Sequence, residues 1–394
     1  MTYRKFSADH LFTGHEMLDN NQVLVVSSDG RIQDILPKAA AGEGIESFQG
    51  ILSPGLVNCH CHLELSHMKG LIPESKGLVD FVFAVVTQRH FPQQEIEEAI
   101  TRAEDEMLHH GIVAVGDICN NTDTIPQKRK ERLKYYNFIE LSGWSPQIAE
   151  KRFSKSKLIF DSFNNISFPG SGQKVSMAPH AAYSVSDLLL HLITPYFRDK
   201  TTSIHNQESH FENEFFINGT GDLVRMYELM QLDNSFFKPS GKSSLQTFLP
   251  KLKESANTIL VHNTFIREDD IIFCEQNITN PFFCICVNAN LYIEKKVPPI
   301  DLLLKHHCNI VLGTDSLASN HQLDIMAEIK TIHQYFPEIS LEELLRWATI
   351  NGARALQMDD DLGSFAVGKK PGIVLIENMN ELKPDKNTVA KRIL

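Results

Sequence analysis

The chain has no long hydrophobic run, almost no tryptophan, no paired-cysteine framework and a deficit of positive charge. No apolar stretch approaches the roughly 20 residues that cross a bilayer as a helix, which excludes a helical membrane protein. The opening "MTYRKFSADH" lacks the apolar core of a signal peptide, so the expected compartment is cytoplasmic. Seven cysteines scattered over 394 residues, an odd number, exclude a disulfide scaffold and fit a reducing compartment. Lysine and arginine number 38 against 49 aspartates and glutamates, for a formal net charge of −11. No overall basic field is available to nucleic acid or an anionic membrane, so the expected partner is a small neutral or cationic molecule. Repeats at solenoid periods and low-complexity tracts are also missing. "SGKSS" at 240–244 looks like the end of a phosphate loop, but Phe236 stands where that loop requires its first glycine.

What is present is an ordinary globular composition, 42% hydrophobic and 22% charged. The length suggests two or three domains, although one α/β barrel with insertions reaches it. In "QVLVVSSDGRIQDIL" two β-rich runs flank Asp29 and Gly30, a strong hairpin signal. From residue 51 the pattern changes to short apolar runs, each followed by a longer stretch of helical character, the signature of parallel βα units. The runs are "ILSPGLVNCH", "GIVAVGDI", "YYNFIEL", "KVSMAPH", "TSIHNQ", "TILVHN", "FFCICVN" and "NIVLGTD". Eight such strands predict a closed (β/α)8 barrel of the α/β class. "QQEIEEAITRAEDEMLHHG" reads as a helix closed by Gly111, and "SLEELLRWATINGARAL" as a last helix with Ser340 and Glu343 in capping-box spacing. The chain then returns to a β-like run, "PGIVLIEN", so both termini are expected to build one small β domain. Residues 209–250, rich in aromatic and polar residues, read as an insertion and a candidate lid. Its aromatics, including Phe236, Phe237 and Phe248, are expected to form local core.

"VNCHCHLELS", at 57–66, alternates two metal-capable residue types. In an extended segment His60 and His62 share one face while Cys59 and Cys61 share the other, so all four cannot grip one ion. Structural zinc sites close their shell with further cysteine pairs, which do not follow, and this favours the histidines. Cys284 and Cys286 alternate likewise and read as buried packing. In a barrel the active site lies at the C-terminal strand ends, and there the sequence places His60, His62, His180, His205, His262 and Asp315. A lone strand-end histidine is more often structural; the joint pattern points to a catalytic metal site with room for water.

These motifs, "HCH" after "SPGLVN", "HNQES" with His205 and Glu208 spaced as His-x-x-Glu, "LVHN", "LGTDSLASN" and "NGARAL", resemble the amidohydrolase superfamily over almost the whole chain. More narrowly, they are similar to its branch of cytosine, guanine and adenosine-type deaminases and triazine chlorohydrolases. "HLELS" and the long segment after "HNQES" resemble aminodeoxyfutalosine deaminases. The resemblance implies a barrel over residues 53–364 and a β-sandwich domain from residues 1–52 and 365–394. It implies one metal ion, zinc or in some members iron, held by His60, His62, His205 and Asp315. Asp315 would also serve as base toward the metal's water, Glu208 would protonate a ring nitrogen and help expel ammonia, and His262 would stabilise the oxyanion. His180 in "APHAAYSVS" would face the substrate. From its position directly after "HCHL", Glu64 is expected to contact a sugar hydroxyl or to lie on the site wall, and Asn290 is a further substrate-side candidate. A bridging lysine for a second metal is missing at the end of the fourth strand, where Lys174 lies at the start instead.

The seventh-strand motif of this branch usually reads Cys-Pro-Arg-Ser-Asn, whereas here "CVNAN" keeps Cys286 and Asn290 and loses the arginine. The expected activity is that of a zinc-dependent aminohydrolase acting on a purine-like nucleoside or related heterocyclic amidine. The alternatives are a ring-amide or halide hydrolase on the same barrel, and a non-catalytic scaffold relative. A homodimer is the default expectation for a soluble oligomer.

Overall fold

The computed structural model describes residues 3–167, 170–379 and 381–394. Eight parallel strands carry the middle of the chain: β1 (Leu56–Cys61), β2 (Ile112–Cys119), β3 (Lys134–Leu141), β4 (Gln173–Pro179), β5 (Thr201–Asn206), β6 (Asn257–His262), β7 (Pro281–Ile285) and β8 (Asn309–Leu312). They pair in two four-stranded parallel sheets, β4-β3-β2-β1 and β5-β6-β7-β8. The sheets meet at both free edges. Cys61 bridges Asp315 on one side and Ala181 bridges His205 on the other. Each expected strand is found, though the first run divides. Ile51–Pro54 pairs with the C-terminal strand Ile373–Glu377, and the parallel strand begins only at Leu56. The break falls at Gly55, where a Cβ would lie 2.6 Å from the Pro371 carbonyl oxygen and 2.2 Å from Val113.

Strand phase decides what the two sheets enclose. Val57, Ala114, Ile118, Tyr136, Phe138, Ala178, Ile259, Val261, Cys284 and Val311 form one buried cluster between them. A larger cluster lies outside the strands, against the helices. The helix Gln93–His109 contributes to the latter with Ile96, Ile100, Ala103 and Met107, a face repeating at helical spacing. It ends at Gly111, which has φ +80° and whose Cβ would meet Val374 at 2.6 Å.

The Asp29–Gly30 hairpin forms as expected, pairing Gln22–Ser27 with Ile32–Pro37. The N-terminal strands and the strand Ile373–Glu377 share one local core of Phe6, Leu11, Leu24, Val26, Ile32, Leu52, Phe365 and Leu375, while Val389–Arg392 pairs with Ile373–Glu377 and buries Ala390 in the larger cluster. The last long helix is not continuous. Leu341–Arg346 gives way to a π turn over Trp347–Asn351 and then to Gly352–Ala355. Ser340 caps it by accepting from the Glu343 amide, but the Glu343 carboxylate turns to Trp347 and Arg346. The wide turn lets Asn351 donate to the Ile310 carbonyl at 3.0 Å, and Gly352 sits where a Cβ would press on Val57 at 2.8 Å.

Residues 209–250 hold three short helices with an aromatic core of their own. Phe215 stacks on Phe237 at 4.2 Å, and Trp144, just beyond β3, stacks on Tyr227 at 5.3 Å and donates to Asn234 at 2.8 Å. The Tyr227 hydroxyl donates to the Tyr183 carbonyl at 2.6 Å. The insertion is thereby anchored on the segments that follow β3 and β4. Ser243, from the glycine-serine stretch, caps the helix Ser244–Phe248.

Candidate active site

His60 is the penultimate residue of β1, and His62 follows its end. Their Nε2 atoms lie 3.2 Å apart, and each faces Asp315 Oδ1, at 3.5 and 3.3 Å. Asp315 adopts φ 58° just past β8, where its amide and that of Thr314 both donate to the His60 carbonyl. Gly313 makes the approach feasible. A Cβ there would sit 2.9 Å from the Cys284 and Cys286 sulfurs and from His60 Cβ. Ser319 donates to Asp315 Oδ2 at 2.5 Å, leaving Oδ1 for the histidines.

His205, the penultimate residue of β5, has Nδ1 on the His180 carbonyl at 2.8 Å. That bond places its proton on Nδ1 and leaves Nε2 as a lone pair. Ring nitrogens of His60, His205 and His262 lie within 4.8 Å of one another, as do donors of His60, His62 and Asp315. Donor atoms that share a tetrahedral ion at about 2.0–2.1 Å lie about 3.3 Å apart, so the His60, His62 and Asp315 spacings fit such an ion. The donor set, imidazoles with one carboxylate, suits zinc or a similar borderline cation.

Burial lowers the pKa of His60, His180 and His205, and lowers that of His262 to about 4. These rings are neutral at physiological pH, the form that binds a metal. The two nearby carboxylates are driven apart. Burial pushes Glu208 well above the usual carboxylate range, and Asp315 adds to the rise. Burial opposes ionisation of Asp315 as well, yet the His60 hydrogen bond and the His62 and His262 rings hold it well below that range. The proton of the pair therefore resides on Glu208 and not on Asp315. Glu208 Oε2 lies 3.6 Å from His262 Nε2.

The structure brings together His60, His62, His180, His205, Glu208, His262 and Asp315, and places Glu64 and Asn290 differently from expectation. Asn290 holds His262, with Oδ1 on Nδ1 at 2.7 Å. Glu64 is 1% exposed, and its carboxylate is taken up by Arg89 at 2.6 Å and the amides of Asn120 and Asn121. Lys174 lies at the opposite end of β4, against the Gln357 carbonyl. Three residues escaped the sequence reading: Asp117, Glu140 and Ser319. Asp117 accepts from the Leu63 amide at 2.8 Å, fixing the chain directly after His62, and is paired with the buried Lys128. Glu140, near the end of β3, lies beside His180 and His205. The signal available for it was a carboxylate in step with Tyr136 and Phe138 on a strand otherwise apolar at those positions.

This fold and this cluster of strand-end histidines and carboxylates define a hydrolase of the amidohydrolase family, whose profile matches residues 51–391; the chain belongs to that family. It is 25% identical over 361 residues to the 5-methylthioadenosine/S-adenosylhomocysteine deaminase of Thermoanaerobacter pseudethanolicus, covering 88% of this chain and 78% of that one. Its structure is similar to that of aminofutalosine deaminase from Helicobacter pylori, with a TM-score of 0.81 at 20% identity, covering 96% of this chain and 93% of that chain. It is also similar to a zinc-bound adenosine deaminase from Xanthomonas campestris, with a TM-score of 0.70 at 21% identity, covering 94% and 84%. At these identities the solved structures establish a shared fold. Among the described residues no helix is long and apolar enough to cross a membrane.

Proposed function

We propose that the protein is a zinc-dependent aminohydrolase that removes the exocyclic amine of a purine-like nucleoside. The observation that carries this reading is the pair of carboxylates with opposed proton affinities set against the histidine cluster, Asp315 beside His60 and His62 and Glu208 beside His262. Ring deamination needs a base at the attacking water and an acid at the ring nitrogen. The similarity to adenosine-type deaminases supports the choice of ring.

The eight strands form a closed (β/α)8 barrel, and the flanking segments of the chain form a β-sandwich at its side. His60, His62, His205 and Asp315 would hold the ion, which when bound would activate water near neutral pH. Asp315 takes a proton from the attacking water. Glu208 hands its proton to the ring nitrogen, Asp315 passes the proton it took from the water to the departing amine, and the amine leaves as ammonia while the proton of the added hydroxyl returns to Glu208. His262, neutral and with its proton on Nδ1 toward Asn290, presents an Nε2 that accepts and does not donate, so the oxyanion contact expected of it requires a second proton on the ring. His180, whose Nδ1 is engaged by Ser184 at 2.7 Å, faces the far side of the ring.

The test is ammonia release from zinc-loaded protein across adenosine-type nucleosides, futalosine-type compounds, guanine, cytosine and triazines, with a chelated control. Metal-dependent ammonia from an adenosine-type compound is expected. Halide release from a triazine, or silence across the panel, would reassign the chemistry to halide or ring-amide hydrolysis.

A further inference from the structure

Glu140 is a buried carboxylate that the reaction above leaves unused. On β3, Tyr136 and Phe138 belong to the cluster enclosed by the two sheets, and Glu140 follows in the same phase, one layer nearer the strand ends. Its carboxylate reaches the level of His180 and His205, with donor atoms of the three within 4.8 Å of one another. This trio is not a second metal site, because the proton on His205 Nδ1 already goes to the His180 carbonyl.

One oxygen of Glu140 is held. Asn120 donates to Oε2 at 2.9 Å, and the Asn120 amide is itself fixed by Glu64, which is pinned by Arg89. The other oxygen, Oε1, lies 3.6 Å from His205 Nδ1, beyond hydrogen-bond distance. Among the described residues no lysine or arginine pairs with Glu140, although its side chain is only 7% exposed. A carboxylate oxygen held in one orientation without a donor favours a ligand that brings one.

The direction in which a ligand would reach it follows from ring order. His180 and His262 lie on either side of His205, at 4.8 and 5.4 Å between ring centroids, and Glu208 is on the His262 side. A ring whose reacting edge lies at Asp315 and Glu208 extends its remaining substituent toward His180 and Glu140. Resting on the nucleoside deaminase reading, we propose that Glu140 is a specificity-determining residue that accepts a hydrogen bond from the 2′- or 3′-hydroxyl of the substrate's sugar. A hydroxyl-bearing, uncharged sugar satisfies the free oxygen. A phosphate placed there would be repelled, and a free base would leave the carboxylate unpaired. The sugar contact expected of Glu64 thus falls to Glu140, with Glu64 supporting it through Asn120.

The test compares kcat/KM of zinc-loaded wild type, Glu140→Gln and Glu140→Ala on adenosine, 2′,3′-dideoxyadenosine and adenine, with metal content measured for each. A hydrogen bond to a charged group predicts a loss of about 10- to 100-fold for Glu140→Ala on adenosine, carried mainly by KM. Glu140→Gln should fall between, and neither variant should change the dideoxynucleoside or adenine by more than about 3-fold. Both variants should keep the metal content of wild type. Equal loss on adenosine and the dideoxynucleoside, no loss on either, or loss of metal would overturn the assignment of Glu140. Wild type that releases ammonia from none of the three would instead overturn the nucleoside reading, and this assignment with it.

Discussion

Asn290 Oδ1 lies 2.7 Å from His262 Nδ1, and Asn290 Nδ2 lies 3.4 Å from the carbonyl of the same residue. The side chain of a residue beyond β7 thereby sets both the tautomer and the tilt of the ring that ends β6. His262 has φ 75°, an uncommon conformation for a residue with a side chain, and the double contact holds it there. With the proton on Nδ1, Nε2 is available as an acceptor toward the site. Asn290→Ala would leave a buried ring nitrogen without a partner, at about 1–3 kcal/mol. The expected outcome is a kcat about 10- to 100-fold lower with unchanged metal content, read by steady-state kinetics beside metal analysis. Asn290→Asp should move the acid limb of the pH–rate profile upward, because a carboxylate on Nδ1 favours the protonated ring and the neutral form is then lost at higher pH.

Ser319 acts on the proposed metal ligand in a similar way. Its hydroxyl occupies Asp315 Oδ2, so Oδ1 alone faces His60 and His62. Removing such an outer contact typically weakens metal binding by about 10- to 100-fold. Ser319→Ala should therefore lose zinc at lower chelator concentration than wild type. Equal chelator resistance would show that the hydroxyl does not orient the ligand.

Lys128 and Asp117 form an ion pair with both side chains fully buried. Lys128 also lies 4.8 and 4.9 Å from the ring centres of Tyr135 and Phe163. Lys128→Met leaves the Asp117 charge uncompensated, and about 3–5 kcal/mol of stability should be lost in denaturant unfolding. Adding Asp117→Asn should recover part of that loss, since the amide oxygen can still accept from Leu63 and no lone charge remains. A double variant no more stable than Lys128→Met would contradict this account.

The raised Glu208 pKa sets a sign for the pH dependence. The proton-donating form exists below the raised value, so kcat should fall as pH increases past it. Glu208→Gln cannot donate a proton and should abolish that alkaline limb along with most of the rate. An alkaline limb that persisted in the residual activity of the variant would assign it to another group.

How much of this was legible in the sequence depends on what each feature requires. The eight apolar runs and the strand-end positions of His60, His62, His205, His262 and Asp315 were readable because burial and strand periodicity are local properties. The division of the first run at Gly55 was not, since it depends on which sheet each half joins, and that is decided by contacts with Val113 and Pro371 far along the chain. The π turn at Trp347–Asn351 escaped for the same reason: it answers to Ile310 and Val57, not to local propensity. Glu64 and Asn290 were placed near the site but given substrate contacts, because spacing indicates proximity and says nothing of which neighbour uses up a hydrogen bond. Glu140 became visible only once the phase of β3 relative to the enclosed cluster was known.

The most direct measurement of the central claim is ammonia release from an adenosine-type nucleoside by zinc-loaded wild type and Glu208→Gln, with metal content determined on the same samples. The account predicts metal-dependent release by wild type, and a variant that keeps its metal while losing about 100- to 10,000-fold in kcat. A Glu208→Gln enzyme that retained its metal and turned over like wild type would contradict it.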